Sequence, residues 1–525
     1  MRKKLVSCFV VVLSIIMTTY SQQTPSGKKP NIIFFLVDDL GWMDVAYNGS
    51  KFYETPNIDK LAKEGVKFNR AYAACHVCSP TRASILTGKY PARINLTDWL
   101  PGRKDFPFQK LKNVEVNQAL PAQETTLAEA LKQNGYSTAL FGKWHLGEAG
   151  STPLEHGFDV RFPDWNAGWP LSYYPPYKLK GLEEAPKDEY LTDRMTTEAL
   201  KYIDANKDHP FFLYMSHFAV HDPIEGRPDL VKKYEKKLQQ MKKPDGPPFI
   251  LEANPDTSRQ FSRSELNSFL NDKEYAGFKY LPNRTVKIKQ FQDNVQFAAM
   301  VESMDESLGR LLAKLKELKI EDNTIVIFVS DNGGMSGANF GKPDRVISPA
   351  NLDKAFSSSN LPLRGAKGFF YEGGIRVPLI IKWPQGKNGT QTNVPVMSTD
   401  YYPTILQMAG LPLLPQQHVD GTSLVPLLKG ENKLKQRALY WHFPHYSNNS
   451  QDSPGGGIRY GDYKLLEYYE NNTAQLFNIE KDPGEHNDLA KSEPAKVKEL
   501  TNMLHEWRKS VSAKMMEPNP EYKGK

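Results

Sequence analysis

Short runs of β-branched and aromatic residues alternate along the chain with segments whose apolar positions recur at helical spacing, the pattern of a sheet covered by helices. The predicted strands are Asn31 to Val37, Ser137 to Phe141, Phe211 to Met215, Thr324 to Ser330 and Pro378 to Lys382. Amphipathic spacing predicts helices over Asn57 to Glu64, Thr125 to Asn134, Asp193 to Asn206 and Asp293 to Leu318. The strands are apolar almost without interruption, which implies burial on both faces and a predominantly parallel or mixed central sheet. After Gly410-Leu411-Pro412 the texture changes: Ala438 to Phe443, Tyr463 to Tyr468 and Gln475 to Ile479 read as an antiparallel meander, and Pro494 to Ser510 as a closing helix. The expected organisation is a large α/β domain over 23–429 and a small C-terminal α+β domain over 430–525. The charged, proline-containing stretch from Asp222 to Asn283 is weakly periodic and reads as a surface insertion.

A chain of 525 residues suits this two-domain division. Hydrophobic residues at 39% and charged residues at 24% make it globular rather than disordered. Residues 1–22 read as a secretory signal: Arg2, Lys3 and Lys4, the apolar run Leu5 to Met17, then small and polar residues near Ser21-Gln22. That run is too short for a spanning helix, so no stable membrane insertion is expected. Cys8 precedes most of the run, which argues against lipidation there.

Without the signal, Cys75 and Cys78 are the only cysteines. A secreted chain of this size with no disulfide framework points to a bacterial protein that crosses the inner membrane, with a periplasmic location expected and an extracellular one as the alternative. Cys75-His76-Val77-Cys78 spells Cys-x-x-Cys, but a second metal-binding pair and a thioredoxin-like context are both missing. The formal net charge is +7, and with Arg2, Lys3 and Lys4 removed it falls to about +4. That is too mild for nucleic-acid binding, though it would suit a polyanionic substrate.

Two predicted strands end in oxygen-rich pairs, Asp38-Asp39 and Asp331-Asn332. In an open α/β sheet, ligands bind in the crevice beyond the carboxyl ends of the strands. Four hard oxygen side chains there suit Ca²⁺ or Mg²⁺ better than zinc. The plainer reading is turn chemistry, since Asp331-Asn332-Gly333-Gly334 makes a good turn by itself.

Cys78-Ser79-Pro80-Thr81-Arg82, continuing through Ala83 to Gly88, resembles the formylglycine-conversion motif of type I sulfatases. The resemblance extends, in the family's order, to Asn31 through Gly41, Thr55-Pro56-Asn57-Ile58-Asp59, Gly142-Lys143-Trp144-His145-Leu146-Gly147, Ser330-Asp331-Asn332-Gly333, Leu363 through Gly368, and Glu372 through Pro378. It implies a large mixed sheet of the alkaline-phosphatase-like α/β fold, flanked by helices, with a smaller antiparallel sheet plus helix at the C-terminus. It also implies hydrolysis of sulfate esters by a formylglycine (3-oxoalanine) made from Cys78, in the manner of the secreted bacterial arylsulfatase-A-like carbohydrate sulfatases. A formylglycine-generating or sulfatase-maturating enzyme would then be a partner during biogenesis.

Carried over by resemblance, Asp38, Asp39, Asp331, Asn332 and residue 78 hold the cation, Ca²⁺ ahead of Mg²⁺. Arg82, one helical turn beyond Cys78, stabilises the hydrated aldehyde, and Lys143 and Lys367 face the sulfate oxygens. His145, expected on the face of Lys143 if the backbone stays extended, takes a proton from the second hydroxyl of the diol. His221 is the candidate acid for the leaving group together with Lys367. His217, nearer its strand, ranks below it.

The rival readings are a phosphatase or phosphodiesterase of the same superfamily with two zinc ions, and a non-catalytic sulfoglycan-binding protein. The expected substrate is a sulfated carbohydrate derived from a polysaccharide such as ulvan, carrageenan or a glycosaminoglycan. The loop from Asn95 to Arg103 resembles that of secreted carbohydrate sulfatases. In it Trp99 is a candidate for stacking on a sugar and Arg103 for reading a neighbouring anion, with packing on the core as the alternative for Trp99.

Overall fold

Asn31–Val37 is the centre of the architecture, because its side chains alternate between two apolar layers. Ile33, Phe35 and Val37 face the cluster built on the Leu191–Asn206 and Val295–Glu317 helices. Ile32, Phe34 and Leu36 face the one built on Cys78–Thr87, Leu127–Gln133 and Tyr401–Met408. A strand buried on both faces needs apolar residues at every position, which is what the uninterrupted run predicts. The computed structural model describes residues 28–257, 264, 265, 268, 285–338, 348, 353–446 and 453–523. The expected signal over 1–22 lies outside them.

The main sheet has eight strands. From edge to edge they are Thr390–Thr392, Val66–Phe68, Leu379–Lys382, Thr324–Ser330, Asn31–Val37, Phe211–Ser216, Ser137–Gly142 and Val160–Phe162. The last five run parallel to one another, while Leu379–Lys382 is antiparallel to both its neighbours. The sheet is therefore mixed, and the five strands predicted from sequence all lie in it. The four predicted helices form as well, with no end shifted by more than two residues.

The C-terminal sheet runs Leu439–Phe443, Gly455–Tyr460, Tyr463–Tyr468, Thr473–Asn478, antiparallel throughout. Leu500, Leu504 and Trp507 of the Pro494–Ser510 helix join its apolar face, and so do Tyr72, Ala74, Cys75 and Val77. The small sheet thus packs against the segment that leads into Cys78. A buried ion cluster adds to this seam: Lys464 lies 3.0 Å from Glu372 and 2.6 Å from Glu485.

Two features were not anticipated. The stretch expected as a surface insertion from Asp222 to Asn283 contains the Pro228–Gln240 helix, and its Phe249–Glu252 strand pairs with Val286–Lys289. Leu230, Val231 and Tyr234 bury one face of that helix, and the surrounding lysines hid their spacing. The rest of that insertion, including Asn283, falls largely outside the described residues. The strand Gly455–Tyr460 was not anticipated, because glycine is a poor strand former. Glycine is needed there: a Cβ on Gly456 would come within 2.8 Å of the backbone oxygen of Trp441 on the paired strand.

Candidate active site

Four adjacent parallel strands deliver the site residues to one edge of the sheet. Val37 pairs with Ser330, so Asp38-Asp39 and Asp331-Asn332 emerge side by side. Gly142 pairs with Ser216, so Lys143 leaves its strand beside the segment that leads to His221. The backbone bonds continue one step past the ladders, from Asp331 N to Val37 O at 3.2 Å and from Lys143 N to Ser216 O at 2.7 Å. Gly142 makes this close approach possible: its φ is +110°, and a Cβ would lie 1.9 Å from Ser216 O.

Cys78 opens the buried Cys78–Thr87 helix, where no side chain caps the first backbone N–H groups. One turn on, the Arg82 guanidinium bonds Asp331 Oδ2 at 2.9 Å through Nε and Ser216 Oγ at 2.7 Å through Nη1, and stands 3.6 Å from Asp38. Lys143 Nζ donates to Asp38 Oδ2 at 2.7 Å and Lys367 Nζ to Asp39 Oδ2 at 2.8 Å. Asn332 Nδ2 donates to Asp39 Oδ1 at 2.8 Å, and Asp39 N to Asp331 Oδ1 at 3.1 Å. The sequence-predicted residues Asp38, Asp39, Cys78, Arg82, Lys143, Asp331, Asn332 and Lys367 are thus all buried in one cluster.

This cluster fits a divalent cation. Ligand atoms of Asp38, Cys78 and Asp331 lie within 4.8 Å of one another. Asp38 Oδ1 and Asn332 Oδ1 are buried and find no hydrogen-bond donor among the described residues. Burial pushes the Asp38 carboxyl well up, against the pull of Lys143 and with a further push from Asp331. Asp331 stays low, because Arg82, Lys143 and Lys367 outweigh its burial. A bound cation would relieve that conflict, and the hard oxygen donors suit Ca²⁺ or Mg²⁺.

The two buried cysteines are unlike. Burial drives the Cys75 thiol up, whereas for Cys78 the same burial is overcome by Lys143 and Lys367, and its thiol is lowered.

The histidines are held by loops. His145 lies beyond the end of its strand at φ +57°, so the expected extended geometry from Lys143 to His145 does not occur. Its Nε2 lies 2.7 Å from Leu100 O. A carbonyl only accepts, so Nε2 carries the proton and Nδ1 presents its lone pair, with no partner among the described residues. Burial, Lys143 and Arg82 lower the His145 pKa well below the ordinary value, which keeps the ring neutral. For His221, burial and Lys367 oppose protonation, but Asp222, Asp39 and Asp38 win and push it up to about 9. Its Nε2 is 3.6 Å from Asp39 Oδ2, and Nδ1 is 2.8 Å from Asp222 Oδ1. His217 points elsewhere, bonding Ser307 Oγ at 3.0 Å against the ring of Phe35.

Sequence reading assigned no role to Asp222, to Ser216 or to the Leu100 carbonyl. The adjacent His221-Asp222 pair was a usable signal for the first, but no local pattern marks the others. In the loop from Asn95 to Arg103, Leu100 N donates to Ser79 Oγ at 3.1 Å and Thr97 Oγ1 meets His445 Nε2 at 2.8 Å. Trp99 is half-buried against the C-terminal core, and the Arg103 guanidinium sits 5.1 Å over the Phe106 ring.

The Sulfatase family model matches residues 30–411, and that of the N-sulphoglucosamine sulphohydrolase C-terminal region matches 366–514. A sulfatase of Formosa agariphila is 29% identical over 95% of this chain and 92% of its own. An N-acetylglucosamine-6-O-sulfatase of Bacteroides thetaiotaomicron is 27% identical over 93% of this chain and 88% of its own. Among solved structures, Ps i-CgsB in complex with k-i-k-neocarrahexaose superposes with a TM-score of 0.67 at 30% identity, covering 91% of this chain and 93% of that one.

Proposed function

The chain belongs to the sulfatase family, and we propose that it hydrolyses sulfate esters of a carbohydrate through a formylglycine made from Cys78, beside one divalent cation held by Asp38, Asp39, Asp331, Asn332 and residue 78. It is a sulfuric ester hydrolase. The observation that carries the mechanism is the position of residue 78: its side chain lies with the Asp38 and Asp331 carboxylates and feels both Lys143 and Lys367. Similarity to an N-acetylglucosamine-6-O-sulfatase and to a protein crystallised with neocarrahexaose supports a sugar as the leaving alcohol.

The cation, Ca²⁺ ahead of Mg²⁺, would supply positive charge to a sulfate oxygen and to residue 78. The hydrated aldehyde would supply one hydroxyl as nucleophile and a second whose deprotonation lets sulfate depart by C–O cleavage. A thiol would leave an S-sulfo adduct instead. Lys143 and Lys367 face the sulfate oxygens, and Arg82 holds Asp331 against residue 78. These charges are fixed before substrate arrives, so they cost no reorganisation in the transition state. His221, drawn towards imidazolium by its carboxylate neighbours, gives its proton to the sugar oxygen as the S–O bond breaks. His145, neutral and with Nδ1 open, takes the proton of the second hydroxyl.

The zinc phosphatase alternative asks for a further metal-ligand cluster. Among the described residues the one group of His, Cys, Asp and Glu close enough to hold an ion is Asp38, Cys78 and Asp331. The remaining parts of the reading are a small C-terminal unit from about residue 430, maturation by a formylglycine-generating enzyme, and export to the periplasm. No helix among the described residues is long and apolar enough to cross a membrane. Incubating the matured enzyme with defined sulfated oligosaccharides from carrageenan, ulvan and glycosaminoglycans, and measuring free sulfate, tests the substrate class. Sulfate release from at least one is expected; release from none of them, with turnover of an aryl sulfate intact, would remove the carbohydrate assignment.

A further inference from the structure

Trp99, the tryptophan that its sequence context favours for sugar binding, is half-buried against the C-terminal core. A different tryptophan stands at the candidate site with its surface open. Trp169 is 40% exposed, and Leu171 beside it is 51% exposed. Apolar side chains this exposed are ordinary when scattered. What sets Trp169 apart is the segment that carries it.

That segment runs from one histidine of the site to the other. At its start Asn166 O accepts from His145 N at 3.1 Å. Gly168 then lies flat against the imidazole, so close that a Cβ there would come within 2.4 to 2.7 Å of three ring atoms. The Trp169 ring meets His145 edge-on, with centroids 6.5 Å apart and planes at 89°. Four residues on, Tyr173 Oη donates to His221 O at 3.0 Å. Both ends of the segment are anchored: Trp165 Nε1 donates to Trp169 O at 2.9 Å, and buried Tyr173 stacks on Tyr190. Trp169 is therefore an exposed aromatic surface beside the His145 ring, on a segment that also reaches the backbone of His221.

We propose that Trp169 is the platform on which the pyranose ring carrying the scissile sulfate stacks, a reading that rests on the carbohydrate sulfatase assignment above. A sugar ring presents axial C–H groups on one face, and a rigid indole covers that face with little loss of side-chain freedom. The charged cluster grips sulfate alone. Trp169 adds recognition of the ring that bears it, and so acts on binding rather than on proton transfer.

The test uses the matured enzyme and a sulfated oligosaccharide that the wild type desulfates, with inorganic sulfate as the competing product. Sulfate has no ring and engages only the cationic floor. Trp169→Ala is expected to raise KM for the oligosaccharide about tenfold, the order of a lost aromatic contact, while the inhibition constant of inorganic sulfate stays as in the wild type. Trp169→Phe should recover part of the loss. An unchanged KM in Trp169→Ala overturns the platform, and so does a parallel loss of sulfate affinity, which would report a distorted floor. If the wild type turns over aryl sulfate but no sulfated sugar, the carbohydrate reading fails and the platform falls with it, an outcome distinct from failure of Trp169 alone.

Discussion

Lys143 and His145 are two residues apart and belong to different kinds of structure. Lys143 extends a ladder of paired strands, sits buried, and is locked to Asp38 at 2.7 Å. His145 has left the strand, adopts φ +57°, and is held by carbonyls of two separate loops, Leu100 and Asn166. The same division runs through the whole site. Asp38, Asp39, Asp331 and Asn332 take their places from strand register, while His221, Trp169 and the histidine contacts take theirs from loops. The charged floor must keep like charges at fixed separations, which a sheet edge can enforce. The rim must fit one particular alcohol, and loops can vary without disturbing the floor.

Substitutions should separate the two regions. The largest effect is expected for Asp331→Ala, which removes a proposed cation ligand and leaves the buried Arg82 guanidinium without its main partner. Activity should vanish, and unfolding should become easier by roughly 3–5 kcal/mol, the usual cost of breaking a buried pair. Denaturant melts and activity assays read both; a stable, active Asp331→Ala would mean the floor is not built as described. Chelation comes next: activity should be lost without global unfolding and return with Ca²⁺ or, less fully, Mg²⁺. Metal analysis of active protein that found two zinc ions would instead favour a phosphatase-like floor.

At the rim the effects should be smaller and should depend on substrate. A sugar alkoxide needs a proton as it leaves, whereas nitrophenolate needs little help. His221→Ala is thus expected to lower kcat/KM on a carbohydrate sulfate by about 10²-fold more than on nitrophenyl sulfate. Equal losses on both would take His221 out of the acid role and favour Lys367. Gly168→Ala should show the opposite signature. It pushes on the His145 ring, proposed to act after the alcohol has gone, so kcat should fall about tenfold on both substrates alike. A loss confined to the carbohydrate would place His145 on the leaving-group side.

The floor could be read in the sequence because its residues directly follow apolar strands: Val37 precedes Asp38-Asp39, and Ser330 precedes Asp331-Asn332. Two runs that pair in parallel register bring their next residues together, whatever lies between them in sequence. Cys78 and Arg82 were legible for a different reason, the resemblance of Cys78-Ser79-Pro80-Thr81-Arg82 to a family motif, and the helix places them one turn apart. The rim was not, because its contacts cross the chain. The tautomer of His145 depends on a carbonyl 45 residues away, and expecting extended backbone there failed because the strand stops at Gly142. Trp99 and Trp169 are chemically identical side chains, and only tertiary packing shows that the first lies half-buried against the C-terminal core while the second is exposed. The same holds for Gly455–Tyr460, a strand whose glycines read as a loop until the neighbouring strands are seen to crowd them, Glu467 O at Gly455 and Trp441 O at Gly456.

The proposed chemistry depends on what residue 78 becomes. Mass spectrometry of the peptide ending at Arg82, taken from preparations with different degrees of maturation, measures the fraction of aldehyde at that position beside the rate of sulfate release. Activity is predicted to rise in proportion to the aldehyde fraction and to be absent from Cys78→Ala, which should keep its fold. Full activity in protein that carries only the unmodified thiol would contradict it.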